Sequence, residues 1–454
     1  MFTTETFNFS EDCLFLNLWR PKGTTAKDSK AVVVVFHGGG YVAGDGSEHD
    51  WRGGSLSALG DVIVINFNYR LGVFGFLDLG IEEAPGHQGH WDQLLVLEWV
   101  RDNVRNFGGD PERVLLIGVS AGSFSISAHL MSPHSRGLFH AAVLDAGIVA
   151  LGDTIEDSAE RATKIANSVS CSNSTVEEIV ECLKNLDASL LLELQQEFAV
   201  SQTYVFRPTQ SNEFIGDGSL EELLATAAEN FNHVPIIIGD SAKEGAFLMT
   251  ERVNEPLPEL ATLEQTLGLM RNICEWHFVP EFPVDSIMSA YELSDDMDTF
   301  AYRNATADFI GDSLFVCPVT KFAAVYSKYS MVYHYFWERK TVSSTVGADP
   351  WAFGAYHGIP FYHMLGSFFE SFDDLAPEDV SYSMAAIEML VEFAKTAKQP
   401  SFRGVSLPAF DALNKKVFIF DDSPHTVSGH PRQNFCDTLF SAESRSTVKT
   451  SDEL

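Results

Sequence analysis

The apolar and polar positions of this 454-residue chain change rhythm several times, and each change marks an element. Ala31–Phe36 (AVVVVF) and Asp61–Phe67 (DVIVINF) are short, continuous and β-branched, the pattern of strands buried on both faces. Asp92–Val104 (DQLLVLEWVRDNV) carries apolar residues at helical spacing and ends near Gly108–Gly109. Val114–Ile117 predicts a further strand, followed at once by a helix over Ala121–Met131. Ala141–Leu144 and Val234–Ile238 predict two more strands. Strands alternating with helices imply an α/β fold, a mostly parallel sheet with helices on both faces. The stretches from about Asp153 to Phe198 and from about Met249 to Lys328 read as helical. Strands at Met331–Trp337 and Lys416–Phe420 follow, with a helix between them around Met384–Ala397. The loop-like stretches Ser211–Gly218 and Lys340–Ala348 are short, and no internal repeat or domain boundary stands out.

Composition narrows the partners. Lys and Arg total 30 against 63 Asp and Glu, a net charge of −33 spread along the chain. Such a surface repels phosphate backbones and anionic headgroups, which argues against nucleic acid and anionic membrane. The acidity could draw cations towards a cleft, but its ordinary role is solubility. No stretch approaches the ~20 apolar residues of a membrane helix, so no integral membrane segment is expected. The six cysteines form no C-x-x-C pair, and H-E-x-x-H and the phosphate-loop pattern are absent, so no metal site is expected.

The sharpest local feature is Gly118-Val119-Ser120-Ala121-Gly122, a G-x-S-x-G sequence between a strand and a helix. A serine on a tight strand-to-helix turn projects its hydroxyl, and glycines two residues either side let strand and helix approach. An ordinary βα turn has the same composition; the flanking strand and helix favour a nucleophile. His37-Gly38-Gly39-Gly40 directly follows the AVVVVF strand. Its exposed N–H groups suit half of an oxyanion hole, with Ala121 N–H as the other half. A phosphate loop would want a nearby Lys and Ser or Thr, and none follows.

With these motifs in hand, the sequence resembles the type-B carboxylesterase/lipase family of α/β-hydrolases, closest in character to a general carboxylesterase. SEDCLFLNLW (Ser10–Trp19), HGGGYVAG, NYRLGVFGFL (Asn68–Leu77), GHQGHWDQ (Gly86–Gln93), NFGGDP (Asn106–Pro111) and GVSAGS occur in the family's order. The likeness spans essentially the whole chain as one domain and is tighter before Gly147. It implies a Ser, Glu, His triad in chain order. Glu244, followed by Gly245 after the VPIII strand, is the matching acid, with Asp240 in reserve. His357, followed by Gly358, is the matching base; His129, His134 and His363 read as ordinary histidines. The resemblance thus implies a carboxylic ester hydrolase in which Ser120, Glu244 and His357 act through an acyl-enzyme, with Gly39, Gly40 and Ala121 as oxyanion hole. The partner is a small-molecule ester, and no cofactor is implied.

Departures from the family pattern refine this. Val119 stands where many relatives carry Glu, and the Trp with which cholinesterases stack choline is missing before Cys13. Neutral esters are therefore expected over a cholinesterase-like activity. Ala146 replaces a Ser that often supports the triad acid, which keeps a catalytically inactive binding or adhesion module as an alternative. The SEDCL motif begins at Ser10, so the family's N-terminal strands are expected to be missing. The resemblance also implies disulfides Cys171–Cys182 and Cys317–Cys436, leaving Cys13 and Cys274 without named partners. Asn8, Asn173 and Asn304 head glycosylation sequons. The final Ser451-Asp-Glu-Leu454 resembles an endoplasmic reticulum retrieval signal, which implies the lumen given an entry signal, and otherwise a secreted or cytosolic protein.

Overall fold

The computed structural model describes residues 10–149, 154–171, 175–199, 206–209, 213–216, 220–226, 229, 231–249, 260, 262–276, 284–342, 354–371 and 375–446. Nine strands form one sheet: β1 (Leu16–Trp19), β2 (Lys30–Phe36), β3 (Ile63–Phe67), β4 (Gly109–Val119), β5 (Ala141–Asp145), β6 (Ile236–Ser241), β7 (Val332–Trp337), β8 (Lys416–Phe420) and β9 (His425–Ser428). Their order is β1-β3-β2-β4-β5-β6-β7-β8-β9. The seven strands from β3 to β8 run parallel, and β1 and β9 pair antiparallel at the edges.

The continuous apolar runs have a direct cause. Val32, Val34 and Phe36 of β2 enter one core layer, while Val33 and Val35 enter the layer on the opposite face. A strand buried on both sides has no polar face to alternate with. The first layer includes Leu94, Leu97 and Val100 of helix α1 (Gln88–Asn103) and Ile126 and Leu130 of α2 (Ala121–Met131). The second includes Ile359 and Leu365 of α5 (Ile359–Leu365) and Ile387 and Leu390 of α6 (Pro377–Thr396). A third cluster gathers around α3 (Thr299–Gly311) and the π-turn at Asp312–Val316 that joins it to α4 (Cys317–Tyr326), whose Val319, Phe322 and Tyr326 enter the first layer.

Several elements differ from expectation at their ends. Strand β4 begins at Gly109 rather than Val114, because Lys30 pairs with Gly109 before a register shift. Helix α1 begins at Gln88, four residues early, with His87 in a left-handed conformation before it. Strand β6 begins after Pro235, which has no N–H to donate, and continues into the polar Asp240 and Ser241. Strand β9 carries no apolar alternation and lies largely exposed at an edge. One stretch, Thr299–Tyr326, is long and apolar enough to cross a membrane by length and composition. An 18-residue window within it has a mean hydropathy of 1.3, and 67% of that window is buried within the protein, as in a core helix.

Strand order also locates the functional end of the sheet. From β2 the chain proceeds to β3 on one side and then crosses to β4 on the other. The connections that leave β2 and β4 therefore run in opposite directions, which marks the usual ligand position in an open α/β sheet. His37–Gly40 leave the end of β2, and Ser120 leaves the end of β4.

Candidate active site

Ser120 sits on the turn between β4 and α2 with φ 55° and ψ −125°, a strained conformation for a residue with a side chain. Its N–H donates to the Asp145 carbonyl at 3.0 Å, which ties the turn to β5. The glycines are required by contact. A Cβ on Gly122 would lie 2.1 Å from the Phe36 carbonyl oxygen, and one on Gly118 would lie 2.6 Å from the Gly122 carbonyl carbon.

The glycine loop after β2 packs onto this turn. A Cβ on Gly38 would lie 3.3 Å from Ser120 Cβ. Gly39 and Gly40 adopt φ 107° and 62°. The Gly39 carbonyl turns away to accept the N–H groups of Val42 and Ala43, both at 3.0 Å. Among the described residues, no acceptor faces the N–H groups of Gly39, Gly40 or Ala121.

Glu244 and His357 meet through backbone pairing. Lys243 N–H donates to the Ala355 carbonyl at 2.9 Å, and Lys243 and Tyr356 form a parallel bridge. The next residue on each segment is a candidate triad member: His357 Nδ1–H donates to Glu244 Oε2 at 2.5 Å. Glu244 Oε1 accepts the Ser241 N–H, also at 2.5 Å. The acid is thus held by a backbone donor, although Ala146 offers no hydroxyl. Gly245 lets α3 approach, since a Cβ there would lie 2.1 Å from the Ala307 carbonyl oxygen. The His357 ring stacks on Phe247 at 4.5 Å and leans on Phe315 at 4.7 Å. A Cβ on Gly358 would lie 3.3 Å from Val119 Cγ2, which brings the histidine loop against the residue preceding Ser120.

Asp240, the reserve acid, faces elsewhere. Its carboxylate lies 4.0 Å from His334 Nε2 and 3.8 Å from His430 Nε2, with all three side chains buried. Among the described residues this trio is the one group whose ligand atoms could converge on a metal, within 4.8 Å of one another. Its geometry does not suit one as it stands. Ligand atoms around zinc at ~2.0–2.1 Å are about 3.3 Å apart. His430 Nδ1 also accepts the Arg432 N–H at 3.1 Å, which leaves the ring proton on Nε2, facing Asp240.

A second buried acid, Asp145, lies under the Ser120 turn. Tyr335 O–H donates to its Oδ1 at 2.5 Å, and Phe361 N–H to its Oδ2 at 3.3 Å. Burial, reinforced by the Glu244 charge, pushes the Asp145 carboxyl well above the usual carboxylate range. His129 and His363 are buried and bond Ser135 and Ser383, while His134 packs against Trp91. Cys171 is bonded to Cys182 and Cys317 to Cys436; Cys13 is a free thiol. The Cys274 side chain, Asn8 and Asn173 lie outside the described residues. Asn304 lies within α3, its Nδ2 donating to the Phe300 carbonyl at 3.2 Å. Sequence reasoning did not single out Tyr41, His87 or His90 behind the glycine loop. The signal available was a pair of histidines three residues apart inside the GHQGHWDQ stretch.

The family profile described as carboxylesterase family matches residues 1–439. Liver carboxylesterase B-1 of Rattus norvegicus is 34% identical over 68% of this chain and 56% of its own length. Acylcarnitine hydrolase of Rattus norvegicus is 32% identical over 85% of the chain and 67% of its own length. Acetylcholinesterase of Leptinotarsa decemlineata is 28% identical over 94% and 72%. The chain thus spans a little over half the length of the liver carboxylesterase it matches.

Proposed function

The chain belongs to the carboxylesterase family, and from that premise we propose that it is a carboxylic ester hydrolase with Ser120 as nucleophile. His357 takes the Ser120 proton as the hydroxyl attacks the ester carbonyl. Glu244 keeps the imidazole in the tautomer whose Nε2 is free to accept that proton, and stabilises the imidazolium. The N–H groups of Gly39, Gly40 and Ala121 receive the oxyanion, each such donor being worth roughly 3 kcal/mol of barrier. The alcohol leaves protonated by His357, and water then releases the acyl group by the reverse sequence of proton transfers.

The observation that carries this reading is the Glu244–His357 hydrogen bond of 2.5 Å beside a serine turn flanked by unengaged N–H donors. The apolar Val119 next to the nucleophile supports neutral esters over cationic ones. Hydrolysis of a p-nitrophenyl ester series of increasing acyl length tests the proposal. Wild-type protein releases p-nitrophenol, with a burst where deacylation limits, and Ser120→Ala releases none above buffer. Equal rates in both proteins would refute it. The two disulfides support an oxidising compartment such as the endoplasmic reticulum lumen. Co-localisation of the full-length protein with a luminal marker tests that placement, and a cytosolic distribution contradicts it.

A further inference from the structure

The glycine loop is tethered at both ends by side chains the proposed reaction does not use. At its start, Tyr69 O–H donates to the His37 carbonyl at 2.9 Å, and the two rings stack 4.3 Å apart. At its end, Tyr41 is buried and left-handed, with φ 62°, and its carbonyl accepts the Gly72 N–H at 2.7 Å. The Tyr41 hydroxyl lies 3.3 Å from His90 Nε2. His90 Nδ1 lies 2.8 Å from His87 Nδ1, and His87 Nε2 lies 3.1 Å from the Thr209 carbonyl oxygen.

For neutral rings, proton placement along this row has one solution. A carbonyl only accepts, so His87 carries its proton on Nε2. His87 Nδ1 then accepts from His90 Nδ1–H, and His90 Nε2 is left to accept the Tyr41 O–H. Burial favours the neutral rings, holding His87 down to about 4 and His90 well below its ordinary value. The row also reaches the nucleophile helix. Ser125 Oγ lies 3.2 Å from the Tyr41 oxygen and donates to the Ala121 carbonyl at 2.9 Å, while Gln93 Nε2 donates to Ser125 Oγ at 2.9 Å.

We propose that Tyr41, His90 and His87 form a positioning row that fixes the Gly39 and Gly40 N–H groups relative to Ala121 N–H before substrate arrives. This rests on the oxyanion role given above to those three donors. A glycine loop is free to wander, and two tethers at its ends remove that freedom at the residues where the donors must converge. Donors aimed at charge that develops only in the transition state raise kcat and leave ground-state binding unchanged.

The test compares Tyr41→Phe, His90→Leu and His90→Gln, the last retaining an acceptor for the Tyr41 hydroxyl. Tyr41→Phe and His90→Leu are expected to lower kcat on a p-nitrophenyl ester by about 10–100-fold with KM little changed. Affinity for an aryl trifluoromethyl ketone, which adds to the serine and leaves an oxyanion in the same place, falls in parallel. His90→Gln recovers most of the rate. Amide exchange over His37–Gly44 speeds up in Tyr41→Phe, a readout independent of turnover. Wild-type kcat and ketone affinity in both Tyr41→Phe and His90→Leu would overturn the proposal, as would unchanged exchange. If Tyr41→Phe does not fold, the His90→Leu and His90→Gln pair makes the same comparison. Wild-type protein without esterase activity refutes the parent reading instead, and the exchange measurement still decides whether the tether exists.

Discussion

Lys243 and Tyr356 form an isolated parallel bridge, and the next residue on each segment is one half of the Glu244–His357 hydrogen bond. The site is therefore registered by backbone pairing, with Glu244 held on its second oxygen by Ser241 N–H. Glu244→Gln should reduce kcat/KM by about 10²–10⁴, because the amide fits the same space but supplies no charge to hold the imidazolium. Steady-state kinetics on a p-nitrophenyl ester read this directly. A loss confined to KM would mean that Glu244 acts on substrate binding.

Gly122→Ala should cost at least about 2–4 kcal/mol and abolish activity, since its Cβ would lie 2.1 Å from the Phe36 carbonyl oxygen with backbone on both sides. Gly268→Ala is the matched comparison. It lies within the helix Leu263–Trp276, and a Cβ there meets nothing within 4 Å. That variant should be neutral or gain up to about 1 kcal/mol. Denaturant unfolding curves of the two variants separate steric need from simple glycine-to-alanine propensity.

The same contrast shows what could be read before the structure. The serine turn and glycine loop were legible because short-range sterics dictate their residues, as the Gly118, Gly122 and Phe36 contacts show. Strands β2 and β3 were legible because burial on both faces demands unbroken Val and Ile. Strand β9 was not, since an exposed edge imposes no apolar pattern. The resemblance put Glu244 ahead of Asp240, but the residues carry no sign of what each carboxylate faces. That rests on a bridge between segments 113 residues apart, and on two histidines from elsewhere facing Asp240. The Tyr41 row was not legible for a similar reason, because its ends meet only in three dimensions.

Stability should fall as the medium becomes acidic. Burial holds His129 and His363 down to about 3, against 6.5 for an unburied ring. The unfolded chain therefore binds more protons between about 6.5 and 3. The stability these rings contribute is fully present above 6.5 and is lost as pH falls through that window, by up to about 1.4 kcal/mol per unit for each ring. Asp145 acts in the opposite sense. Its raised carboxyl costs stability increasingly as pH rises above the ordinary 3.8, and so offsets part of the histidine effect. Denaturant midpoints at pH 7, 5.5 and 4.5 should decline in the wild type. The slope should be shallower in His129→Asn, which keeps an acceptor for the Ser135 hydroxyl.

The Cys317–Cys436 bond closes a span of 119 residues and anchors α7 (Gln433–Ser446) to the start of α4. By the loop-entropy relation, opening it costs roughly 4–5 kcal/mol. The Cys171–Cys182 bond spans 11 residues, and its loss should cost about 3 kcal/mol or less by the same relation. Melting temperatures of Cys317→Ser with Cys436→Ser, set against Cys171→Ser with Cys182→Ser, test that order.

Ser120 as activated nucleophile is tested most directly by treating folded protein with a fluorophosphonate and mapping the adduct to a peptide. One phosphonyl group per chain is expected, on Ser120, with labelling lost in Ser120→Ala and greatly slowed in His357→Ala. Folded protein that takes up no label, or takes it up at another residue while Ser120 stays free, would contradict it.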